Sequence, residues 1–117
     1  MKPSSAKQKG RLFQQWVRDQ ILARFSLEAD DVRSTGMGQS GEDIQLSPAA
    51  RKVIPISIEC KARASIAVYK FFEQAQQNTK EGTEPVVFIR QNRSKPLVVV
   101  DAEYFLDLMK TVGRYEK

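Results

Sequence analysis

Asp43 and, after fifteen intervening residues, the triplet Glu59-Cys60-Lys61 place two carboxylates and a lysine close together in the chain. In an extended segment Glu59 and Lys61 share a face, because side chains alternate along a strand. An exposed ion pair that close adds little stability, so the spacing asks for another use. Two carboxylates and an amine are the groups that metal-assisted phosphodiester hydrolysis needs. Asp and Glu offer hard oxygen ligands to Mg²⁺ or Mn²⁺, which keep waters and accept substrate oxygens. Such a cation polarises a phosphate and lowers the pKa of a bound water. A neighbouring lysine orients that water or stabilises charge developing on the phosphoryl oxygens.

The three groups meet only if the elements carrying them pair correctly. Asp43-Ile44-Gln45-Leu46 alternates polar and apolar and reads as a strand. A turn over Ser47 to Lys52 leads to a second strand over Val53 to Lys61. There Ile54, Ile56, Ile58 and Cys60 face one way, and Ser57, Glu59 and Lys61 the other. Pro55 cannot donate to a ladder and predicts a bulge or an unpaired segment. If the two strands form a hairpin, Asp43 joins Glu59 and Lys61 on the polar side.

The flanking chain supplies the packing. Leu12, Phe13, Trp16, Val17, Ile21 and Phe25 form an apolar stripe on a helix from about Lys7 to Phe25, with Trp16 read as core. A short strand over Asp31 to Ser34 precedes the loop TGMGQSGED, whose Gly36, Gly38 and Gly41 suit close backbone approach. No G-K-[ST] follows, so it is not a Walker loop. Val68 to about Thr79 reads as a helix with Val68, Phe71, Phe72 and Ala75 inward, and Lys70, Gln74 and Gln77 on the opposite ridge. PVVFIR and PLVVVD read as strands buried on both faces. Asp101 caps a last helix through about Val112, with Phe105, Leu108, Met109 and Val112 as its apolar side. The predicted fold is α/β: a mixed sheet flanked by helices in the order α-β-β-β-α-β-β-α. Residues 1–117 form one domain, with 1–6 as a flexible basic tail.

Composition narrows the chemistry. With no histidine among 117 residues, histidine triads, H-E-x-x-H zinc sites and HNH-type nuclease chemistry are excluded. One cysteine allows no internal disulfide; Cys60 reads as a small buried apolar residue rather than a thiol nucleophile. No apolar run approaches the roughly 20 residues that span a bilayer, and the start MKPSSAKQKGR has no apolar h-region behind it. The net charge of +5 leans toward an anionic partner. Lys2, Lys7, Lys9, Arg11, Arg18 and Arg24 crowd the N-terminal segment, opposed only by Asp19. Such a cluster fits salt-dependent phosphate contacts or, equally, a solubilising tail. Lys7, Lys9 and Arg11, with Arg63 and Lys70 just past the triplet, are the candidate DNA contacts.

Asp43…Glu59-Cys60-Lys61 resembles the D-x(n)-E-x-K signature of the PD-(D/E)XK nuclease superfamily. KGRLFQQWVRDQIL is similar to the opening helix of the Holliday-junction-resolvase-like branch, which begins K-G-x-x-x-E. The resemblance runs from Lys9 to the last helix. It implies a restriction-endonuclease-like sheet and a Mg²⁺-dependent endodeoxyribonuclease, with Mn²⁺ as a substitute. Asp43 and Glu59 become metal ligands, the Cys60 backbone carbonyl a third, and Lys61 the catalytic lysine. Gln74, in YKFFEQAQQ, matches the glutamine many relatives carry after E-x-K. Gln14 replaces the first-helix glutamate and is an uncharged ligand at best; Glu42 stands where a proline often precedes the Asp.

Small relatives, phage-borne ones included, act on branched or structured DNA in recombination and repair. The implied partners are therefore a DNA junction and, for symmetric cutting, a second copy of the chain, with no membrane and no organic cofactor. The implied location is the cytoplasm, that of the bacterial host if phage-encoded. Rival readings are a structure-nonspecific nickase or repair nuclease, a catalytically weak DNA-binding module of the same fold, and a small structural adaptor.

Overall fold

The structure, a computed structural model, describes residues 3–35 and 41–115. Lys2, Gly36 and Gly38 lie outside the described residues. Helix α1 (Pro3–Arg24) leads through a 3-10 turn at Ala29–Asp31 to strands β1 (Val32–Ser34) and β2 (Ile44–Leu46). Helix α2 (Pro48–Val53), strand β3 (Ile56–Arg63) and helix α3 (Val68–Gln77) follow. Strands β4 (Glu84–Gln91) and β5 (Leu97–Val99) and helix α4 (Ala102–Tyr115) complete the order. The strands make one five-stranded sheet in the order β1-β2-β3-β4-β5, antiparallel except for the parallel β3–β4 pair. The fold is thus α/β, with a mixed sheet flanked by helices.

The sheet separates two cores. On one face α1 lays Phe13, Val17 and Ile21 against Val32, Ile44, Leu46, Ile58, Cys60 and Ala62. On the other, α3 packs Ala75, Phe71 and Phe72 over Val87 and Ile89. Burying one such aliphatic side chain contributes roughly 1.5–3 kcal/mol, so the alternation fixes the register of β3.

Four local readings are corrected. Ser47 to Lys52 is not a turn: the Ser47 hydroxyl accepts from Ala50 N–H at 3.1 Å, Pro48 fills the first turn, and α2 follows. Strand β3 therefore starts at Ile56, and Pro55 stays outside it. Helix α1 begins at Pro3, within the stretch expected as a tail. Trp16 is 41% exposed and Leu12 54%, so the apolar stripe of α1 is wider than the core it covers.

The fourth correction concerns the C-terminal end. Strand β5 is a sheet edge of three residues, with Leu97 and Val98 exposed rather than buried on both faces. Asp101 does cap α4, accepting from Tyr104 N–H at 3.0 Å. The apolar side of α4 nevertheless lies open: Phe105, Leu106, Leu108, Met109 and Val112 are each 42–63% exposed.

Candidate active site

Strand β2 pairs with β3 only at Ile44–Ile58 before the two part. Asp43 N–H donates to the Ile58 carbonyl at 3.0 Å, and its carboxylate then crosses the opening gap. There Asp43 Oδ2 accepts from Cys60 N–H at 2.8 Å. The N–H and C=O of one strand residue point to the same side, so the Cys60 carbonyl faces the gap beside Asp43. Glu59 points to the α3 face and is only 5% exposed, its Oε1 accepting from the Asn78 amide at 2.9 Å. The Lys61 ammonium lies 5.2 Å from the centre of the Phe71 ring, with the Arg63 guanidinium 5.8 Å from the same ring. Asp43 and Lys61 both act electrostatically on Glu59.

The electrostatics ask for a cation. Burial first, and then the charge of Asp43, push the Glu59 carboxyl up to about 7 from its ordinary 4.5. The Asn78 amide and the Lys61 ammonium act in the opposite direction without cancelling the rise. Among the described residues no group of three Asp, Glu, His or Cys side chains could hold a metal ion. The donor set is two carboxylates with the Cys60 carbonyl beside them. Mg²⁺ needs no more from a protein, because it keeps several waters and binds through one or two carboxylates. The residues fit that group. Burial and the two nearby carboxylates raise the Cys60 thiol well above its ordinary value, which keeps it protonated and out of nucleophilic chemistry.

A stability test follows from Glu59. Between pH 4.5 and about 7 the metal-free folded chain holds a proton that the unfolded chain has released, so stability falls as pH rises through that window. In chelator the chain is expected to melt about 5 °C or more higher near pH 5.5 than near pH 8. Glu59→Gln should flatten that difference, and Mg²⁺ or Mn²⁺ should raise the melting temperature at the higher pH. An unchanged pH slope in Glu59→Gln, read by calorimetry, counts against this assignment.

Gln14 is not brought to the pair. It is buried and accepts from the Ser34 hydroxyl at 2.9 Å. Ser34 pairs with Ile44 on the α1 face, whereas Asp43 and Glu59 open on the other. Glu42 is no substitute ligand either. Its buried carboxylate is gripped by Arg51 at 2.6 and 3.1 Å, with Lys80 at 3.7 Å. Gln74 is half-buried on α3, and the amide that reaches Glu59 belongs to Asn78, four residues on. The helical ridge that singled out Lys70 and Gln74 also contains Asn78, and that spacing is the signal that could have found it.

The basic candidates separate. Lys7, Arg11, Arg63 and Lys70 are exposed, while Lys9 is half-buried and donates to Asn92 Oδ1 at 2.6 Å. Among the described residues no helix is long and apolar enough to cross a membrane. No protein-family model, no curated protein and no solved structure matches the chain.

Proposed function

We propose that this chain is a divalent-metal-dependent DNA endonuclease with a restriction-endonuclease-like fold of the PD-(D/E)XK type. One observation carries the reading: the Asp43 carboxylate accepts from Cys60 N–H where β2 leaves β3, and its charge acts on Glu59, with Lys61 on the same strand. A bound Mg²⁺ or Mn²⁺ supplies Lewis-acid polarisation of the phosphate and a water of lowered pKa. Asp43 and Glu59 hold the cation, and Cys60 N–H fixes the Asp43 carboxylate. Lys61, steadied over Phe71, presents its ammonium to the phosphoryl oxygens or to the attacking water. Asn78 orients Glu59 from the end of α3.

Branched DNA, a Holliday junction above all, is the substrate we favour, from the likeness of the first helix to resolvases. Incubation with labelled four-way junction, duplex and single strand in Mg²⁺ and Mn²⁺ tests it. Symmetric nicks on the junction support a resolvase, and cutting of every substrate supports a structure-nonspecific nuclease. Retention of DNA without cutting in either metal supports the inactive binding module, a reading favoured by Gln14 being tied to Ser34.

Symmetric cutting requires two sites related by a two-fold axis. The open apolar side of α4, with the adjoining edge residues Leu97 and Val98, is the surface we assign to a second copy. Large contiguous apolar patches are rare on monomers. The chain is expected to run as a dimer in light scattering at micromolar concentration. Leu108→Asp combined with Val112→Asp should yield monomers; a wild-type monomer rules this interface out.

A further inference from the structure

One recess of the molecule is lined by none of the residues of the carboxylate pair. It holds about 550 Å³ and is lined by Lys9, Leu12, Phe13 and Trp16 of α1, Ala62 of β3, and Arg90 to Arg93 at the end of β4. That volume falls within the range of about 300–1,000 Å³ typical of small-ligand sites. Two features set its chemistry. The first is aromatic: Trp16 stacks on the buried Phe13, centroids 5.9 Å apart and planes 10° from parallel, and remains 41% exposed. The second is charge. Lys9, Arg90 and Arg93 line the recess with no carboxylate, and among the described residues none of the three is in an ion pair. Lys9 is tied to Asn92, and Arg90 Nε donates to the Ser94 carbonyl at 3.2 Å, so both cations are held at the rim.

A flat, half-open aromatic surface beside unpaired cations fits an aromatic base joined to an anion. We infer that the recess binds one unpaired nucleotide of a single-stranded DNA segment. The base extends the Phe13–Trp16 stack, and its phosphates lie against Lys9, Arg90 and Arg93. Base–aromatic stacking tolerates any sequence because every base has a π-face. The recess lies on the α1 face of the sheet and the carboxylate site on the other: Ala62 lines the recess, while Lys61, the preceding residue of β3, faces α3. This inference rests on the reading of the chain as a DNA-acting protein, and it adds to that reading a preference for DNA with an unpaired arm.

Trp16 is the single tryptophan, so its fluorescence reports on this recess alone. The full chain is titrated in EDTA with a dye-free thymidine oligomer, an abasic oligomer of equal length, a blunt duplex and free thymidine monophosphate. Anisotropy of labelled duplicates reports binding anywhere on the protein. The thymidine oligomer should quench Trp16 at the concentrations at which it binds, and the abasic oligomer should quench far less. Arg90→Ala with Arg93→Gly should weaken oligomer binding about tenfold. Both side chains are exposed, and Arg93 sits at φ 61°, where glycine relieves strain. Binding by anisotropy with Trp16 unmoved overturns the recess while leaving the nuclease reading intact. No binding of any DNA by anisotropy overturns both. Quenching equal for abasic and thymidine oligomers overturns the base-stacking site, as does monophosphate binding as tight as that of the oligomer.

Discussion

Lys61→Ala should lower the rate of DNA cleavage by about 10²–10³-fold, equivalent to about 2.7–4 kcal/mol of transition-state stabilisation, with DNA retention little changed. The expectation follows from where the ammonium sits. It lies over the Phe71 ring, beside a Glu59 carboxyl whose charge it helps to stabilise. Charge on the phosphoryl oxygens grows in the transition state, so a fixed cation there contributes to rate more than to binding. Lys61→Arg should not restore full activity, because a planar fork does not reproduce a point charge at that spot. The same variant carries a second readout. Without the ammonium Glu59 loses a stabilising partner, so the upper end of the pH window over which the metal-free chain weakens should rise. Full cleavage by Lys61→Ala would remove the lysine from the chemistry.

Arg51→Ala should cost about 3–5 kcal/mol of stability, because it leaves a buried carboxylate without its partner. The Glu42 side chain is 1% exposed and is held at both oxygens by the Arg51 guanidinium. Lys80 is farther away, at 3.7 Å, and 59% exposed, too solvated to replace it. A loss of that size lowers the melting temperature of a domain this small by roughly 10 °C or more. Replacing both partners, as Glu42→Gln with Arg51→Met, should cost much less, since neither charge then needs the other. Glu42 is bonded to Asp43 through the chain, so the single variant should also slow cleavage by loosening the proposed metal ligand. A cost below about 1 kcal/mol in denaturant titration would mean that the pair is not buried in solution.

The shared face of Glu59 and Lys61 was legible because it obeys the shortest-range rule. Strand alternation puts Glu59 and Lys61 on one face whatever the rest of the chain does, and the Asp43 segment needs only a hairpin to join them. Residues placed by longer-range packing were not. Gln14 belongs to a helix that covers the opposite face of the sheet, a fact that depends on which way α1 docks. Asn78 was passed over for Gln74 because one ridge of α3 offers several amides, and only the register of helix on sheet selects among them.

The capped start of α2 was written in Ser47-Pro48, yet its six residues are too few for a hydrophobic period to declare itself. Its consequence, the Arg51 clamp on Glu42, went unseen with it. Trp16 fits an apolar stripe, but the stripe of α1 is broader than the sheet beneath it, and the surplus becomes the wall of a recess. The α4 stripe likewise predicts burial that one copy of the chain does not provide.

The most direct measurement is nicking of an end-labelled four-way junction by the wild-type chain and by Glu59→Ala, each in Mg²⁺, Mn²⁺ and EDTA. The predicted result is paired nicks by the wild type in either metal, none in EDTA and none by Glu59→Ala, with both proteins retaining the junction. Cutting that persists in EDTA or in Glu59→Ala, or junction binding with no cutting in either metal, would contradict a metal-dependent nuclease site at Asp43, Glu59 and Lys61.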